Sequence, residues 1–362
     1  MGFVMKEGCM NHVNHIEELQ IARFRGLRNL HLPKLAQINL IVGGNNTGKT
    51  SLLEAISVFC RPLDPWAWIR TASMREFKFS NIPLLESVKW LFPRFETTNP
   101  NDLLTGEAAA LLQGACAIRE VQASFNEFIT DISLLEEDEE DFFTGELRRG
   151  IDLELHATTT DPQHAEPQRF SETFQLWEHE TFIQHHTSAC PALTVNLVTP
   201  YTHQIEQLQL DTLSEQAMHE LDEALLPLLH VFDPQIQGFT IMSQAGFRRK
   251  CYIKHDHLGM APLNCFSDGV RRVMLLATLL QFSKNGLLLL DELDTAIQPD
   301  LLATTFQWIV RACVAHQIQL FATTHSLEIC RALVQHHETE ATIATILLER
   351  QAGETRATRR EE

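Results

Sequence analysis

The sequence predicts an α/β protein in which a mixed sheet carries helices on its faces. Three observations lead there. Short apolar runs and helical patterns take turns after Asn264, a strand, a glycine-rich loop and a helix follow one another after Ile38, and the apolar run Leu287 to Leu290 stops on two carboxylates. Strand and helix alternating in this way is the mark of a sheet with parallel strands and helical crossovers.

Taken in order, Leu19, Ile21 and Phe24, then Leu30 and Leu32, alternate with polar residues, and Gly26 and Pro33 break the pattern. That is the period of a half-buried strand. Residues 38–42 are apolar throughout, as a strand covered on both faces requires. Leu52, Leu53, Ala55, Ile56 and Phe59 then recur at helical spacing. Residues 61–235 read as an inserted region of strands and helix. It holds a tryptophan-rich turn at Pro65, Trp66 and Trp68, strands at 118–125 and 151–157, and a helical pattern through Leu210, Leu213, Leu221, Leu225 and Leu228. Strand-like pieces at 236–242 and 250–254 close it. The regular part follows: helix 269–282, strand 287–290, helix 300–315, strand 318–323, helix 326–336 and strand 342–349. Residues 1–60 and 236–350 are thus expected to form one head, and 351–362, ending in ETRATRREE, a flexible tail.

With 362 residues, 44% hydrophobic and 21% charged, the chain has room for one large or two medium domains of soluble type. Its apolar runs are too short to cross a bilayer, and the opening MGFVMKEGCM has neither a signal core nor a hydroxyl at the myristoylation position. A cytoplasmic protein without membrane attachment is expected. Eight cysteines are scattered without the paired spacing of a zinc site or redox dithiol, so reduced, mostly buried thiols are expected. The pairs His185–His186 and His336–His337 make no ready chelate, because adjacent side chains point apart. The net charge of −18, to which the run EEDEED at 136–141 contributes, repels nucleic acid at long range. DNA contact would need a local basic patch, either Arg23, Arg25 and Arg28 or Arg248, Arg249 and Lys250; both sets also read as ordinary strand and turn surface.

Residues 43–50, GGNNTGKT, fit the phosphate-loop pattern and lie between a strand and a helix, where that pattern must lie. Backbone N–H groups of such a loop wrap phosphates, Lys49 reaches the β- and γ-phosphates, and the Thr50 hydroxyl can ligate Mg²⁺. Gly43, Asn45, Asn46, Thr47, Gly48, Lys49, Thr50 and Ser51 are therefore the expected binding set for ATP. In GLLLLDE, residues 286–292, adjacent side chains diverge at a strand end, which suits two tasks. Asp291 would hold the Mg²⁺ shell, and Glu292 would orient and deprotonate water. LFATTHS, residues 320–326, places His325 at another strand tip, where ligands of open α/β sheets bind, as a contact to the γ-phosphate or the water. In FSDGVRR, residues 266–272, Ser267 and Gly269 open a helix whose positive end can receive a second anion, although Ser267 also reads as a simple N-cap.

In this order the motifs resemble the ABC-type ATPase heads of the SMC, RecF and OLD group. They are most similar to compact bacterial ATP-binding proteins of that group, many from anti-phage defence systems. LQIARFRGLRNLHL, ahead of INLIVGGNNTGKTSLLEAI, is similar as well. The resemblance covers roughly the first 60 and last 100 residues. It implies a head that dimerises head to tail around two ATP molecules, Ser267 and Gly269 of one subunit completing the site on the other, with Asp294 in the seam. Hydrolysis would release the dimer. After residue 330 there is no room for the Toprim nuclease domain of OLD relatives, so a separately encoded nuclease or toxin is the expected effector. The rivals are a RecF-like clamp on DNA and a non-hydrolysing ATP-gated scaffold. Asp268 stands where the transporter signature has glycine, Thr295, Ala296 and Gln298 stand where relatives often show Asn, Gly and His, and no Q-loop glutamine is identified.

Overall fold

The computed structural model describes residues 14–75, 83–93, 103–131, 147–160, 166–178, 188–205, 225–242, 250–326, 329–331, 333, 341–351 and 353–360. The acidic run 136–141, both histidine pairs, Arg248, Arg249, Leu210, Leu213 and Leu221 lie outside the described residues. The chain divides into two compact units, one of residues 1–15, 36–40 and 198–345, the other of 16–35, 41–197 and 346–362.

In the second unit, β1 (Glu18–Phe24) turns back into β2 (Leu27–Leu32) through Arg25, which is left-handed at φ 49°. The end of β3 (Ile38–Gly43) leads through the glycine-rich loop to α1 (Lys49–Phe59). Next comes α2 (Pro65–Ser73), where the sequence reading had a turn. Asp64 caps it by accepting the Trp66 N–H at 3.0 Å, and Pro65 takes the first helical position, where no N–H is needed. After α3 (Leu84–Lys89), the strands β4 (Thr105–Gln113), β5 (Ile118–Asp131), β6 (Leu147–Thr159) and β7 (Gln168–Trp177) join β1 and β2 in one antiparallel sheet, ordered β2-β1-β4-β5-β6-β7. Its buried face meets the helices along a run of aromatic contacts. Phe24 touches Phe59 of α1, Phe59 touches Trp68 of α2, Trp68 stacks on Phe92, and Phe92 meets Phe125 of β5. Residues expected as a tail instead form β15 (Glu354–Arg360). Gly353, at φ 88°, makes the turn out of β14 (Ile343–Gln351), and the buried Thr355 donates to Thr47 O at 3.0 Å.

In the first unit the opening residues of β3 are flanked on both sides. Ile38 N–H donates to Thr342 O at 3.0 Å, and Leu320 N–H of β13 (Gln319–Thr324) donates to Gln37 O at 2.8 Å. β12 (Leu287–Leu290), four buried leucines, runs parallel to β13 with Leu287 opposite Gln319. Beyond it the Asp291 N–H reaches the carbonyl of Val198, the last residue of β8 (Val195–Val198), at 2.8 Å. The short α4 (Thr202–Ile205) follows that contact in the chain's order, and α5 is described at residues 225–232. The antiparallel trio β9 (Ile236–Met242), β10 (Lys250–His255) and β11 (Gly259–Pro262) packs with α5 against α6 (Asp268–Phe282), through Leu225, Leu229, Ile236, Ile253, Val273 and Met274. α7 (Pro299–Ala315) connects β12 to β13 as the helical crossover that a parallel pair needs.

Candidate functional site

The glycine-rich loop of the second unit has the backbone its sequence calls for. Asn46 and Gly48 are left-handed, at φ 61° and 93°, a conformation open to glycine and tolerated by asparagine. A Cβ at Gly43 would stand 2.6 Å from both Leu348 O and Thr47 Oγ1, so only glycine fits there. Lys49 is buried and its Nζ donates to the carbonyls of Gly43 and Gly44 at 2.7 and 2.9 Å, which curls the loop around the ammonium. Gly44, Asn45 and Asn46 are exposed at the crest, and Thr50 and Ser51 are half-buried in the first turn of α1. Ser51 Oγ accepts from Arg75 at 2.9 Å, and Arg75 also pairs with the buried Glu54 at 2.6 Å. These donors suit a polyphosphate: main-chain N–H groups at a helix start, one ammonium and two hydroxyls.

The N-terminal arginines are engaged within this unit. Arg25 pairs with Glu54 at 2.8 Å and donates to Thr71 O, Arg28 donates to the carbonyls of Arg25 and Leu27, and Arg23 pairs with Glu107. Burial pulls the Arg25 guanidinium down to about 10 despite the Glu54 charge, so it stays protonated but spends its charge internally.

In the first unit, Asp291, Glu292 and His325 come together at the carboxyl ends of β12 and β13. Thr323 Oγ1, fully buried, donates to Asp291 Oδ1 at 2.6 Å and accepts the Glu292 N–H at 2.9 Å. One hydroxyl thus fixes both acidic residues. Glu292 takes a left-handed backbone, φ 49°. Its Oε2 accepts from Thr295 Oγ1 at 3.0 Å, and its Oε1 lies 3.4 Å from His325 Nε2. The Glu292 and His325 side chains are 39% and 42% exposed, enough for water to reach them. Among the described residues, Asp294 Oδ1 is buried without a hydrogen-bond partner.

The start of α6 belongs to the same unit. Ser267 is its N-cap and is exposed, its Oγ accepting the Val270 N–H at a long 3.5 Å. Gly269 is buried: a Cβ there would lie 2.9 Å from Ala296 O and 3.1 Å from the Phe232 ring. Asp268, the departure from the transporter signature, is met by Gln204 Nε2 at 3.1 Å, Arg271 at 3.2 Å and the ring of His203 at 3.9 Å. Thr295 was noted in the sequence only as a departure in the loop after the acids, and the supporting roles of Thr323 and of the 199–205 segment were not singled out. For Thr323 and Thr295 a signal existed, a hydroxyl residue at the end of the strand beside the acids and in the turn after them; for 199–205, TPYTHQI offered none.

Comparison with known proteins places these features. The family described as "AAA domain, putative AbiEii toxin, Type IV TA system" matches residues 211–331, and a family of proteins of unknown function, DUF2813, matches 14–82. Two uncharacterized proteins of Methanocaldococcus jannaschii are similar, one 52% identical over 44 residues (12% of this chain, 20% of that protein), the other 31% identical over 87 residues (24% and 76%). The DNA replication and repair protein RecF of Saccharophagus degradans is 30% identical over 122 residues, 31% of this chain and 30% of RecF. An SMC head, solved bound to the C-winged helix domain of ScpA, superposes with a TM-score of 0.50 at 11% identity, covering 96% of this chain and 98% of that one. The chain shares the P-loop ATPase fold of the SMC head. The chain spans 20% of the length of the first archaeal relative and 30% of that of RecF. Among its described residues no helix is long and apolar enough to cross a membrane.

Proposed function

We propose that the protein binds ATP with Mg²⁺, dimerises around it, and hydrolyses it as a conformational switch. In this reading it is the ATPase and sensor of an anti-phage defence complex that controls a separate nuclease or toxin. The observation that carries the hydrolytic part is the corner in which one Thr323 hydroxyl bonds both the Asp291 carboxylate and the Glu292 N–H while the Glu292 side chain remains open to water. Mg²⁺, held by Thr50 and Asp291, would supply charge neutralisation on the phosphate oxygens. Lys49 would leave its loop carbonyls for the β- and γ-phosphates. Glu292 would take the proton of the attacking water at Oε1 or Oε2, with Thr295 and His325 fixing the carboxylate's rotation. Ser267, exposed at the helix start, would offer its hydroxyl to the γ-phosphate held by a second copy. Contacts shared in this way exist only while the γ-phosphate does, which makes hydrolysis an opening signal.

The defence role is supported by the toxin–antitoxin wording of the matched family. A RecF-like role on DNA is favoured by the RecF relative, but the net charge of −18 and the internal pairing of Arg23 and Arg25 weigh against strong autonomous DNA binding. Ser267→Arg is expected to leave ATP binding by the monomer intact while abolishing ATP-dependent dimerisation, read by light scattering, and turnover. A variant that still dimerises with ATP returns Ser267 to a simple cap. Glu292→Gln should lose phosphate release; equal rates in both proteins would leave a non-hydrolysing scaffold. Steep salt-dependent DNA binding by the isolated protein would favour the RecF-like role.

A further inference from the structure

α6 carries a charged side chain that the reading above leaves without a task. Arg272 is fully buried, and its four hydrogen bonds all go to main-chain carbonyls. Nη2 donates to Asp291 O at 3.1 Å and Glu292 O at 2.7 Å; Nη1 donates to Thr199 O at 3.5 Å and Pro200 O at 3.4 Å. Burying a guanidinium is costly, and a well-packed apolar residue is often the more stable choice at such a place. Burial draws its pKa down to about 10, with Asp291, Asp294 and Glu292 opposing, so the side chain remains a cation. What a cation gains here is reach: a planar fork that can grip two separate stretches of backbone at once.

Both stretches bear on the site. Glu292 holds a left-handed backbone, which is unfavourable for a residue with a side chain and persists only where surrounding contacts enforce it. Thr323 meets its N–H, and its carbonyl accepts both from Arg272 at 2.7 Å and from the Thr295 N–H at 3.0 Å, so the peptide is held on each side of the α-carbon and Arg272 is the side chain on the carbonyl side. The other stretch, Thr199 and Pro200, leads directly into α4, whose Gln204 meets Asp268 beside Ser267. One guanidinium therefore ties the signature helix to the peptide from which Glu292 projects and to the segment that flanks the signature.

We propose that Arg272 is a positioning residue that couples the start of α6 to Glu292, so that seating of Ser267 on a nucleotide sets the carboxylate for turnover. The proposal rests on ATP hydrolysis by this corner, and its test separates the two. In the full chain, Arg272→Met is expected to keep KM for ATP within about threefold and to lose about 100-fold in kcat, the loss that follows when a reacting group is displaced by about an ångström. Arg272→Lys keeps the charge but cannot span all four carbonyls, and should recover about tenfold of that loss. Independently of turnover, hydrogen exchange without nucleotide should quicken in peptides covering 198–204 and 289–294 in Arg272→Met and less so in Arg272→Lys. If Arg272→Met does not fold, Arg272→Lys alone must still show a kcat loss at unchanged KM together with faster exchange in both segments. A folded variant with wild-type kcat, or with unaltered exchange in both segments, overturns the proposal. A wild-type protein that releases no phosphate overturns the hydrolytic reading and the coupling to turnover, while exchange still decides whether Arg272 ties the two segments.

Discussion

Replacing Thr323 by valine removes one hydroxyl from the carboxylate corner and leaves a side chain of nearly the same shape. Two bonds go with it, the donation to Asp291 Oδ1 at 2.6 Å and the acceptance from the Glu292 N–H at 2.9 Å. The first is buried and made to an acidic group, and losing it costs about 2 kcal/mol. The second leaves a backbone N–H that water can partly reach, since Glu292 is only half-buried, and costs about 1 kcal/mol. The extra methyl returns about 0.5 kcal/mol of apolar burial, leaving a net destabilisation of about 2.5 kcal/mol. At about 1.3 °C per kcal/mol for a chain of this size, Tm should fall by about 3 °C. Thermal melts without nucleotide read that shift, and phosphate release read on the same samples should fall at least tenfold, because Glu292 loses the bond that orients its peptide. Thr323→Ser keeps the hydroxyl and should retain most of the activity. If Thr323→Val melts within about 1 °C of wild type and turns over within twofold, the hydroxyl does not organise the corner.

Other expectations follow from the same unit. Gly269→Ala places a methyl 2.9 Å from Ala296 O and 3.1 Å from Phe232, so α6 must shift; a loss of about 1–3 kcal/mol in thermal melts is expected. Cys265 is the exposed cysteine among those described, two residues before Ser267, whereas burial holds Cys60, Cys251 and Cys313 as thiols. Brief maleimide treatment should modify Cys265 ahead of these three by peptide mass mapping, and a bulky adduct there should block ATP-dependent dimerisation but not ATP binding. His203 is held below its ordinary 6.5 by burial and then by the Arg272 charge, with Asp268 opposing. The unfolded chain then binds this proton more readily, so the stability contributed by neutral His203 is present above pH 6.5 and declines as pH falls below it. His203→Gln should flatten the fall in Tm between pH 6.5 and 5; an unchanged slope would assign that fall to other groups.

How far the sequence discloses this molecule depends on whether a feature is local. β12, β13, α6 and α7 are legible because each is set by its own apolar run and its own ends: four leucines before two acids, and a proline opening the helix after them. The phosphate loop is legible for the same reason, since Gly43 and Gly48 sit where a Cβ has no room or the backbone is left-handed. The six-stranded sheet was not, because β7 leaves half of its residues exposed and its more buried stripe, Phe170, Glu172, Phe174 and Leu176, is interrupted by an acid. Nothing in residues 18–32 announces that they pair with strands a hundred residues further on, where Leu19 faces Leu112. β15 failed for a related reason, since a strand of arginine, threonine and glutamate looks like solvent-exposed chain until Thr355 finds Thr47.

The site divides along the same line. Its acids, lysine and histidine are chemically conspicuous and lie at strand or loop ends, so their positions can be read from the sequence. The groups that hold them are not conspicuous, because their function lies in direction. A threonine becomes decisive at position 323 only because strand pairing turns its hydroxyl toward Asp291 on the neighbouring strand. Arg272 reads as one of two arginines in a signature, yet it lies in line with Gly269, Leu276 and Leu280, all buried, along a single stripe of α6. Helical spacing alone would have placed that arginine inside. An arginine on a buried stripe has to find acceptors, and the ones within its reach are the carbonyls that follow β12. The orientation of Glu292 is thus set from behind, through its own backbone. Conservative changes at the corner's acids and at its supports should accordingly diverge: Glu292→Gln would remove the proton acceptor and keep the backbone, whereas Arg272→Met would keep the acceptor and release the backbone that aims it.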